Sequence, residues 1–463
     1  MKKGTIIELL IEDVEFPGYG IGTYVSEALD KEGQPIRKRV YVLGGVPGEL
    51  LSVKIKKIRK SYIEGYKEAT LKESDFNKEV TCPQYGICGG CSHQSVSYDK
   101  QLDIKEKEVL DLFKKANIEG FDFLGIEGSL KVFEYRNKME FTFGDYEKGG
   151  EITLGMHAKG RSFSVISTEE CRIVDEDFRN ILKKTLEYFR EKRIPHYNVL
   201  SHIGILRNLV VRKAENTGEI LINLVTSSNS GIDFDEVTKL YTGLEYKGTL
   251  ASLLHTTNDS LSDAVKVDKM DILYGKDYIN EKVLGMNFKI SSFSFFQTNT
   301  KGAEKLYSIV RDFIGDTKDK TVFDLYCGTG TIGQIVAQSA RKVIGIEIVE
   351  EAVAVARENA TLNKLDNCIF IVGDVGKVIN SVEEKPDIII LDPPRAGVTP
   401  PALKLVMDFN APEIIYVSCN PKSLVENLKL LVEEGYEVKK VKLMDMFPHT
   451  GHVETVVLIE KKL

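Results

Sequence analysis

The 463-residue chain has no long hydrophobic run. Its apolar stretches are short, Ile388 to Leu391 being typical, against the ~18 residues a membrane helix needs. Lys2 and Lys3 precede an apolar stretch, but Glu8, Glu12 and Asp13 interrupt it before a signal-peptide core could form. Internal repeats and low-complexity linkers are lacking too. A composition of 42% hydrophobic and 28% charged residues excludes disordered, collagen-like and disulfide-miniature classes. Cysteine is scarce and odd in number, at seven, which favours metal or catalytic roles over disulfides. Excess positive charge is absent: the formal net charge of −7 would count against nucleic-acid binding if charge were evenly spread. The expectation is a soluble, cytoplasmic protein with no membrane partner and no obligate protein partner.

The charge is uneven. Residues 34–67 hold nine Lys/Arg (Arg37, Lys38, Arg39, Lys54, Lys56, Lys57, Arg59, Lys60, Lys67) against two acids, Glu49 and Glu64, the footprint of polyanion binding. Residues 1–70 read as about five short strands between Gly/Pro turns, an OB-like β-barrel. In VKIKKIRK apolar and basic residues alternate, so one face packs while the other meets phosphates or guards a sheet edge. Tyr62 and Tyr66 are placed either to stack on bases or to fill the barrel. A cysteine-rich loop follows at 82–91, then a helical pattern from about Tyr98 to Ala116 with Leu102, Val109, Leu112 and Phe113 on one face. Residues 71–292 form a strand-rich α+β middle domain. From 293 to 463 strands alternate with helices, which predicts a parallel, doubly wound α/β (Rossmann-like) sheet. Ser423 and Glu426 read as a capping box for its last helix, with Gly435 stopping it.

The segment FDLYCGTGTIG (323–333) runs an apolar strand into Gly328-x-Gly330-x-x-Gly333 and a helix, the arrangement that lets a backbone approach a ligand at a helix N-terminus. Glu347, nineteen residues after Gly328, ends the next strand, where a carboxylate can accept ribose hydroxyls. On spacing alone this serves NAD equally. Asp392 then enters the stiff Pro393-Pro394-Arg395 loop, and Cys419 precedes Asn420-Pro421, each at a strand end in the crevice where such sheets bind ligands.

Taken together, FDLYCGTGTIG, LDPPRAG, VSCNP and GHVETVVLIE resemble the S-adenosylmethionine-dependent RNA (uracil-5-)-methyltransferase family over essentially the whole chain. The resemblance implies transfer of a methyl group to uracil carbon 5 through a covalent Cys–uracil adduct, with Cys419 as nucleophile and Glu454 as general base. It implies S-adenosyl-L-methionine contacts from Gln297 in FSFFQTN, Tyr326, Glu347 and Asp392, with Asp374 approaching the adenine. It makes the N-terminal barrel a TRAM domain, packs residues 94–130 on the catalytic domain, and makes Arg136, Lys138, His157, Lys159 and Arg207 candidate RNA contacts. Arg395 is left between substrate phosphate and loop anchor. His449 and His452 are polar neighbours of the base without an assigned role, and Cys327 and Cys368 read as packed residues.

Cys82-x5-Cys88-x2-Cys91 and the distant Cys171 can wrap one soft metal centre. Spacing leaves zinc and iron–sulfur open; the resemblance implies a [4Fe-4S] cluster that organises the middle domain, and with the barrel it points to 23S rRNA rather than tRNA as the RNA partner. The readings from other classes are an NAD-dependent oxidoreductase, which leaves Cys419 and the Pro-Pro loop unexplained, and a non-catalytic RNA-binding protein.

Overall fold

The structure, a computed structural model, describes residues 2–29, 32–228, 231–262, 265–378 and 382–462, and among these residues the strands form four sheets. The first contains β1 (Ile6–Leu10), β2 (Asp13–Glu15), β3 (Tyr19–Leu29), β4 (Pro35–Leu43), β5 (Leu50–Ile58) and β6 (Tyr62–Lys72), in the order β1-β5-β6-β4-β3-β2. Its two edge strands are separated by Ile11 and Glu12 alone, so the sheet must roll up around Leu9, Val40, Val42, Leu51, Val53, Ile55 and Ile63. On β5 the alternation holds: Leu51, Val53 and Ile55 are buried while Lys54 and Lys56 face out. Lys56 lies over the Tyr66 ring at 4.9 Å, and Tyr62 packs edge-on against Tyr41, so both tyrosines sit on the outer basic face rather than in the barrel core.

Helix α1 (Tyr98–Lys115) buries a stripe at helical spacing, Gln101, Ile104, Lys105, Glu108, Val109 and Phe113, half of which is polar. Strand β7 (Asp122–Glu127) follows. The second sheet, ordered β10-β9-β8-β11-β12-β13-β14, comprises β8 (Lys138–Asp145), β9 (Ile152–Ala158), β10 (Arg161–Ser167), β11 (Leu206–Lys213), β12 (Glu219–Thr226), β13 (Thr249–Thr257) and β14 (Lys269–Gly275). Helices α2 (Glu176–Glu191) and α3 (Phe234–Thr242) cover one face through Phe178, Ile181, Leu186, Phe189 and Tyr241. The hairpin β15 (Tyr278–Val283) and β16 (Met286–Ser291) leads out of it.

The remaining elements are α4 (Thr300–Ile314), β17 (Thr321–Leu325), α5 (Thr331–Ala337), β18 (Lys342–Glu347), α6 (Glu350–Leu362), β19 (Cys368–Val372), α7 (Val375–Val378), β20 (Ile388–Leu391), α8 (Pro400–Asp408), β21 (Glu413–Ser418), α9 (Pro421–Glu433), β22 (Tyr436–Met444) and β23 (Glu454–Lys461). The sheet order is β19-β18-β17-β20-β21-β23-β22-β7. It departs from the all-parallel expectation at β23, which pairs antiparallel with both neighbours. The near-continuous apolar strands β17, β20 and β21 are buried on both faces, with α4 and α5 on one side and α1, α8 and α9 on the other. Strand β7 joins this sheet in parallel with β22, and Val109 and Phe113 of α1 pack among Leu424, Leu428 and Leu431 of α9.

The expected capping box does not form. Helix α9 begins two residues earlier, at Pro421, and Asn420 caps it by accepting from the Lys422 amide at 3.2 Å. Ser423 instead donates to the Arg395 and Asn420 carbonyls, and Glu426 pairs with Lys429. Proline at the first helical position shifts the boundary upstream.

Candidate active site

Four loops at the carboxyl edge of the parallel strands build the site. After β17 the chain turns sharply at Tyr326, a non-glycine residue held at φ 64°, with Tyr326 and Cys327 amides both donating to the Ile346 carbonyl. Gly330 takes φ 71° as the residue capping α5, and a Cβ there would lie 2.4 Å from the Phe370 ring, so glycine is required by both backbone and space. The loop is fastened to the next strand end: Glu347 Oε2 accepts from the Gly328 amide at 3.0 Å, and Oε1 from Ile348 and Val349 at 2.8 and 3.0 Å. Oε2 keeps a second lone pair for a ligand hydroxyl. Beneath it, buried Asp324 accepts from the Gly333 amide at 2.8 Å.

The Asp392-Pro-Pro-Arg loop is tied to the Cys419 loop at one atom, the Arg395 carbonyl, which accepts from Asn420 Nδ2 (2.8 Å) and Ser423 Oγ (3.1 Å). The Arg395 side chain itself is exposed. The reversal of β23 explains the fourth component. Register pairs Ser418 with Thr455, so one step further out Cys419 and Glu454 stand opposite each other at the same sheet edge. A parallel last strand would have put Glu454 at the far end. Gln297 enters from the segment before α4, its carbonyl held by Asn137 Nδ2 at 3.0 Å, while Arg212 holds the Ser292 and Ser294 carbonyls.

Gln297, Tyr326, Glu347, Asp392, Cys419 and Glu454 all line one cavity of about 1270 Å³. So do Cys82, Cys88, Cys91 and Cys171, although they lie far from Cys419 in sequence. The cavity thus runs from the glycine loop past Cys419, His452 and Arg136 to the cysteine-rich segment. The four thiols are reduced and unpaired by disulfides, and each of the six pairs among them feels the other's charge. Burial pushes Cys91 up to about 12 and Cys171 to about 11. Among the described residues no three His, Cys, Asp or Glu side chains converge on the position of a single metal ion.

Burial also dominates the electrostatics near Cys419. It raises Asp392 to about 7 and, with Asp392 adding repulsion and Arg395 opposing, Glu454 to about 8. Cys419 is pushed up to about 11 by burial, then by Glu454 and Asp392. His452, beside them in the cavity, is driven down to about 4 by burial and by Arg395, so it is neutral. An unliganded site therefore stores protons on its acids and its thiol.

Other expected residues are placed as follows. Asp374 accepts from the Gly376 amide at 2.9 Å and lies behind the cavity wall, close enough for its charge to add to burial in raising Tyr326. Arg207 is 4% exposed, donates to the Ser260 and Ser262 carbonyls and stacks on Tyr197, so it is a structural anchor rather than an RNA contact. Lys138 is ion-paired with Glu140, while half-buried Lys159 and His157 flank the cysteine loop, whose Ile87 carbonyl and Gly89 amide bond to their backbone. Cys368 packs with Val353 and Phe370; Cys327 packs there too but also reaches the cavity wall. The sequence reading missed Asp324, Phe295 and Ile348, all cavity-lining. Phe295 is 70% exposed and Ile348 63%, and large apolar side chains held open at a cavity mouth suit a flat ring. An acid inside the apolar run VFDLY was the available signal for Asp324.

A glycine loop at a helix N-terminus, a carboxylate on the following strand and a doubly wound sheet form a nucleoside-cofactor site, and the match to known proteins makes it that of an S-adenosylmethionine-dependent methyltransferase. Residues 97–462 match the family model described as tRNA (Uracil-5-)-methyltransferase, and the chain belongs to that family. Over its whole length it is 60% identical to a Clostridium tetani protein and 57% identical to one from Clostridium acetobutylicum, each described as an uncharacterized RNA methyltransferase and each covered over 99% of its length. It is also similar to the crystal structure of Pyrococcus abyssi tRNA (uracil-54, C5)-methyltransferase in complex with S-adenosyl-L-homocysteine, with a TM-score of 0.75 and 25% identity, covering 98% of this chain and 100% of that one. No helix among the described residues is long and apolar enough to cross a membrane.

Proposed function

We propose that this RNA methyltransferase modifies carbon 5 of a uridine in 23S rRNA, with Cys419 as nucleophile and Glu454 as base. The opposed placement of these two side chains at the sheet edge, inside the cavity of the glycine loop, carries the reading. Carbon 5 of uracil is a poor nucleophile. Addition of the Cys419 thiolate to carbon 6 forms the S–C6 bond and moves the ring electrons onto oxygen 4 as an enolate. Carbon 5 then takes the methyl group, and the S–CH3 electrons stay on the departing thioether sulfur. Glu454 removes the carbon-5 proton; that C–H pair becomes the C5=C6 bond and the thiolate leaves.

At pH 7 a thiol at about 11 is ionised in about one molecule in ten thousand, so the free site is nearly inactive. A sulfonium cation bound by Gln297, Tyr326, Glu347 and Asp392 offsets the carboxylate field and lowers both Cys419 and Glu454 toward their working forms. The uridine must leave its stack, because the thiol approaches carbon 6 from above the ring.

The cysteine set suits a [4Fe-4S] cluster held by Cys82, Cys88, Cys91 and Cys171. All four are thiols close enough to feel one another's charge, the soft donor set such a centre takes. Such a cluster would be held by these four thiols and would tie the 82–91 loop to Cys171. These cysteines and the basic barrel favour rRNA. The family description and the Pyrococcus abyssi enzyme favour tRNA as the second reading.

The test is methyl transfer from labelled S-adenosylmethionine into size-separated total RNA from cells lacking the gene, with the labelled nucleoside identified. 5-Methyluridine in large-subunit rRNA supports the proposal; the same nucleoside in tRNA keeps the chemistry and overturns the substrate. No label in either, from protein with its metal centre intact, returns the reading to a binding protein.

A further inference from the structure

The loop between β22 and β23, residues 445–453, carries Phe447, Thr450 and His452 into the cavity and closes on the pair Met444–Glu454. Four successive carbonyls of this loop are held from four different parts of the molecule. Asn299 Nδ2 donates to Met446 (2.9 Å), Lys105 Nζ to Phe447 (3.2 Å) and Tyr135 Oη to Pro448 (3.0 Å). The Ser92 and His93 amides, immediately after Cys91, both donate to His449 (2.9 and 3.0 Å). Helix α1 supplies the strongest grip. Lys105 Nζ is 2.7 Å from Asp445 Oδ1, with neither side chain exposed, and the same oxygen takes the Phe447 amide at 3.1 Å. One turn away, Gln101 Oε1 accepts from the His449 amide at 2.7 Å while its Nε2 faces His449 Nδ1 at 3.1 Å. His449 is held at φ 68°, a conformation a non-glycine residue keeps only where its surroundings impose it.

A fully buried ion pair is poor value as a stabiliser, since apolar residues of similar volume do as well or better. What Lys105–Asp445 provides that leucine and methionine could not is a fixed path for the loop backbone. Asp445 directly follows Met444, the register partner of Glu454, and from the other end of the held path Thr450, Gly451, His452 and Val453 lead to Glu454. We infer that Lys105 and Gln101 are positioning residues for the proton-abstraction step: from α1 they set the loop that presents His452 and Glu454 to the substrate. This rests on Glu454 being the base. The Ser92 and His93 amides extend the same clamp to the cysteine segment, so the segment that ends at Cys91 is in register with the site of deprotonation.

The test separates adduct formation from adduct release. With 5-fluorouridine at carbon 5 there is no proton to remove, so trapping reports attack and methyl transfer alone. The probe is the RNA species that accepts methyl label, transcribed with uridine or with 5-fluorouridine. The double variant Lys105→Met/Asp445→Leu keeps the volume apolar and packed, and Gln101→Leu is the second, milder lesion. For both, trapping of fluorinated RNA stays within about threefold of the parent, while turnover on uridine RNA falls about tenfold to a hundredfold, the cost of a misplaced catalytic group. Turnover and trapping falling by the same factor, or turnover unchanged in both variants, overturns the inference. Failure of the unsubstituted protein to trap fluorinated RNA overturns the proposed chemistry instead, and that outcome is read before any variant is made.

Discussion

At one end of the cavity Glu347 accepts three backbone amides at 2.8–3.0 Å and Asp324 a fourth. At the other end Cys88 Sγ has the Gly90 amide at 3.4 Å, and Cys91 Sγ and Cys82 Sγ have glutamine side chains at 3.6 Å. The two ends are lined by equally functional residue types, yet one is built before its ligand arrives and the other is gathered without being fastened. The lesson concerns what each end needs. A strained, hydrogen-bonded backbone turn pre-forms the nucleotide end, so cofactor binding there requires little ordering. The half-buried thiols make only long, weak contacts, and the proposed metal centre would displace their protons and tie them together.

The largest expected effect lies where the ends meet. Cys419→Ala abolishes methyl transfer, by about four orders of magnitude or more, and removes the 5-fluorouridine adduct, while cofactor affinity and metal content stay at parental values. A loss of either would mean the ends are not independent. A reciprocal pair then sharpens the contrast. Glu347→Ala weakens S-adenosylmethionine binding about tenfold to a hundredfold in calorimetry and leaves the visible absorbance of the metal centre intact. Cys171→Ser does the opposite, losing bound iron while cofactor affinity stays within about threefold. Stoichiometric zinc in colourless, anaerobically purified protein would overturn the cluster assignment.

Charge separates the ends as well. As the proposed base Glu454 acts ionised and is raised to about 8, and the Cys419 thiol is raised to about 11, so kcat/KM of the parent climbs more steeply below pH 8 than that of Glu454→Gln, which keeps only the rise due to Cys419. Equal slopes in the two profiles from pH 6 to 8 would remove Glu454 from the step. The smallest effect lies outside the cavity. Glu108 on α1 accepts from the Gly18 amide at 2.8 Å through one oxygen, its other oxygen is buried with no hydrogen-bond partner, and burial raises it to about 8. The folded state keeps this proton between about 4.5 and 8 while the unfolded state loses it, so the stabilisation it gives at low pH disappears as pH rises. Glu108→Gln retains an acceptor for Gly18; its melting temperature should match the parent near pH 5 and exceed it by a few degrees at pH 8.5.

Much of this was readable in the residues. The strand–helix alternation, the glycine loop and the strand-end positions of Asp392 and Cys419 follow from local patterning, which depends on neighbours in sequence. The reversal of β23 was not readable, because VETVVLIE is apolar whichever way the strand runs; only the sheet order exposes Glu454 beside Cys419. The joining of the cysteines to the same cavity was hidden for a similar reason, being a property of how two sheets face one another. On α1 the sequence pattern marks the apolar residues Leu102, Leu112 and Val109, while the residues that touch the active-site loop are Gln101 and Lys105. Polar residues at buried positions carry no signal in a hydropathy pattern. Arg207 was misread in the opposite sense, since a basic residue in a strand reads as a surface charge until its carbonyl partners are seen.

Strand β7 ends at Glu127, yet its partner β22 begins only at Tyr436, and Glu454 comes later still. During synthesis on the ribosome α1 and β7 therefore emerge with their apolar faces uncovered and wait for roughly 300 further residues before the sheet edge they complete exists. The nascent chain can finish its rolled N-terminal sheet and its middle sheet first, but the methylation machinery closes as the last strands appear.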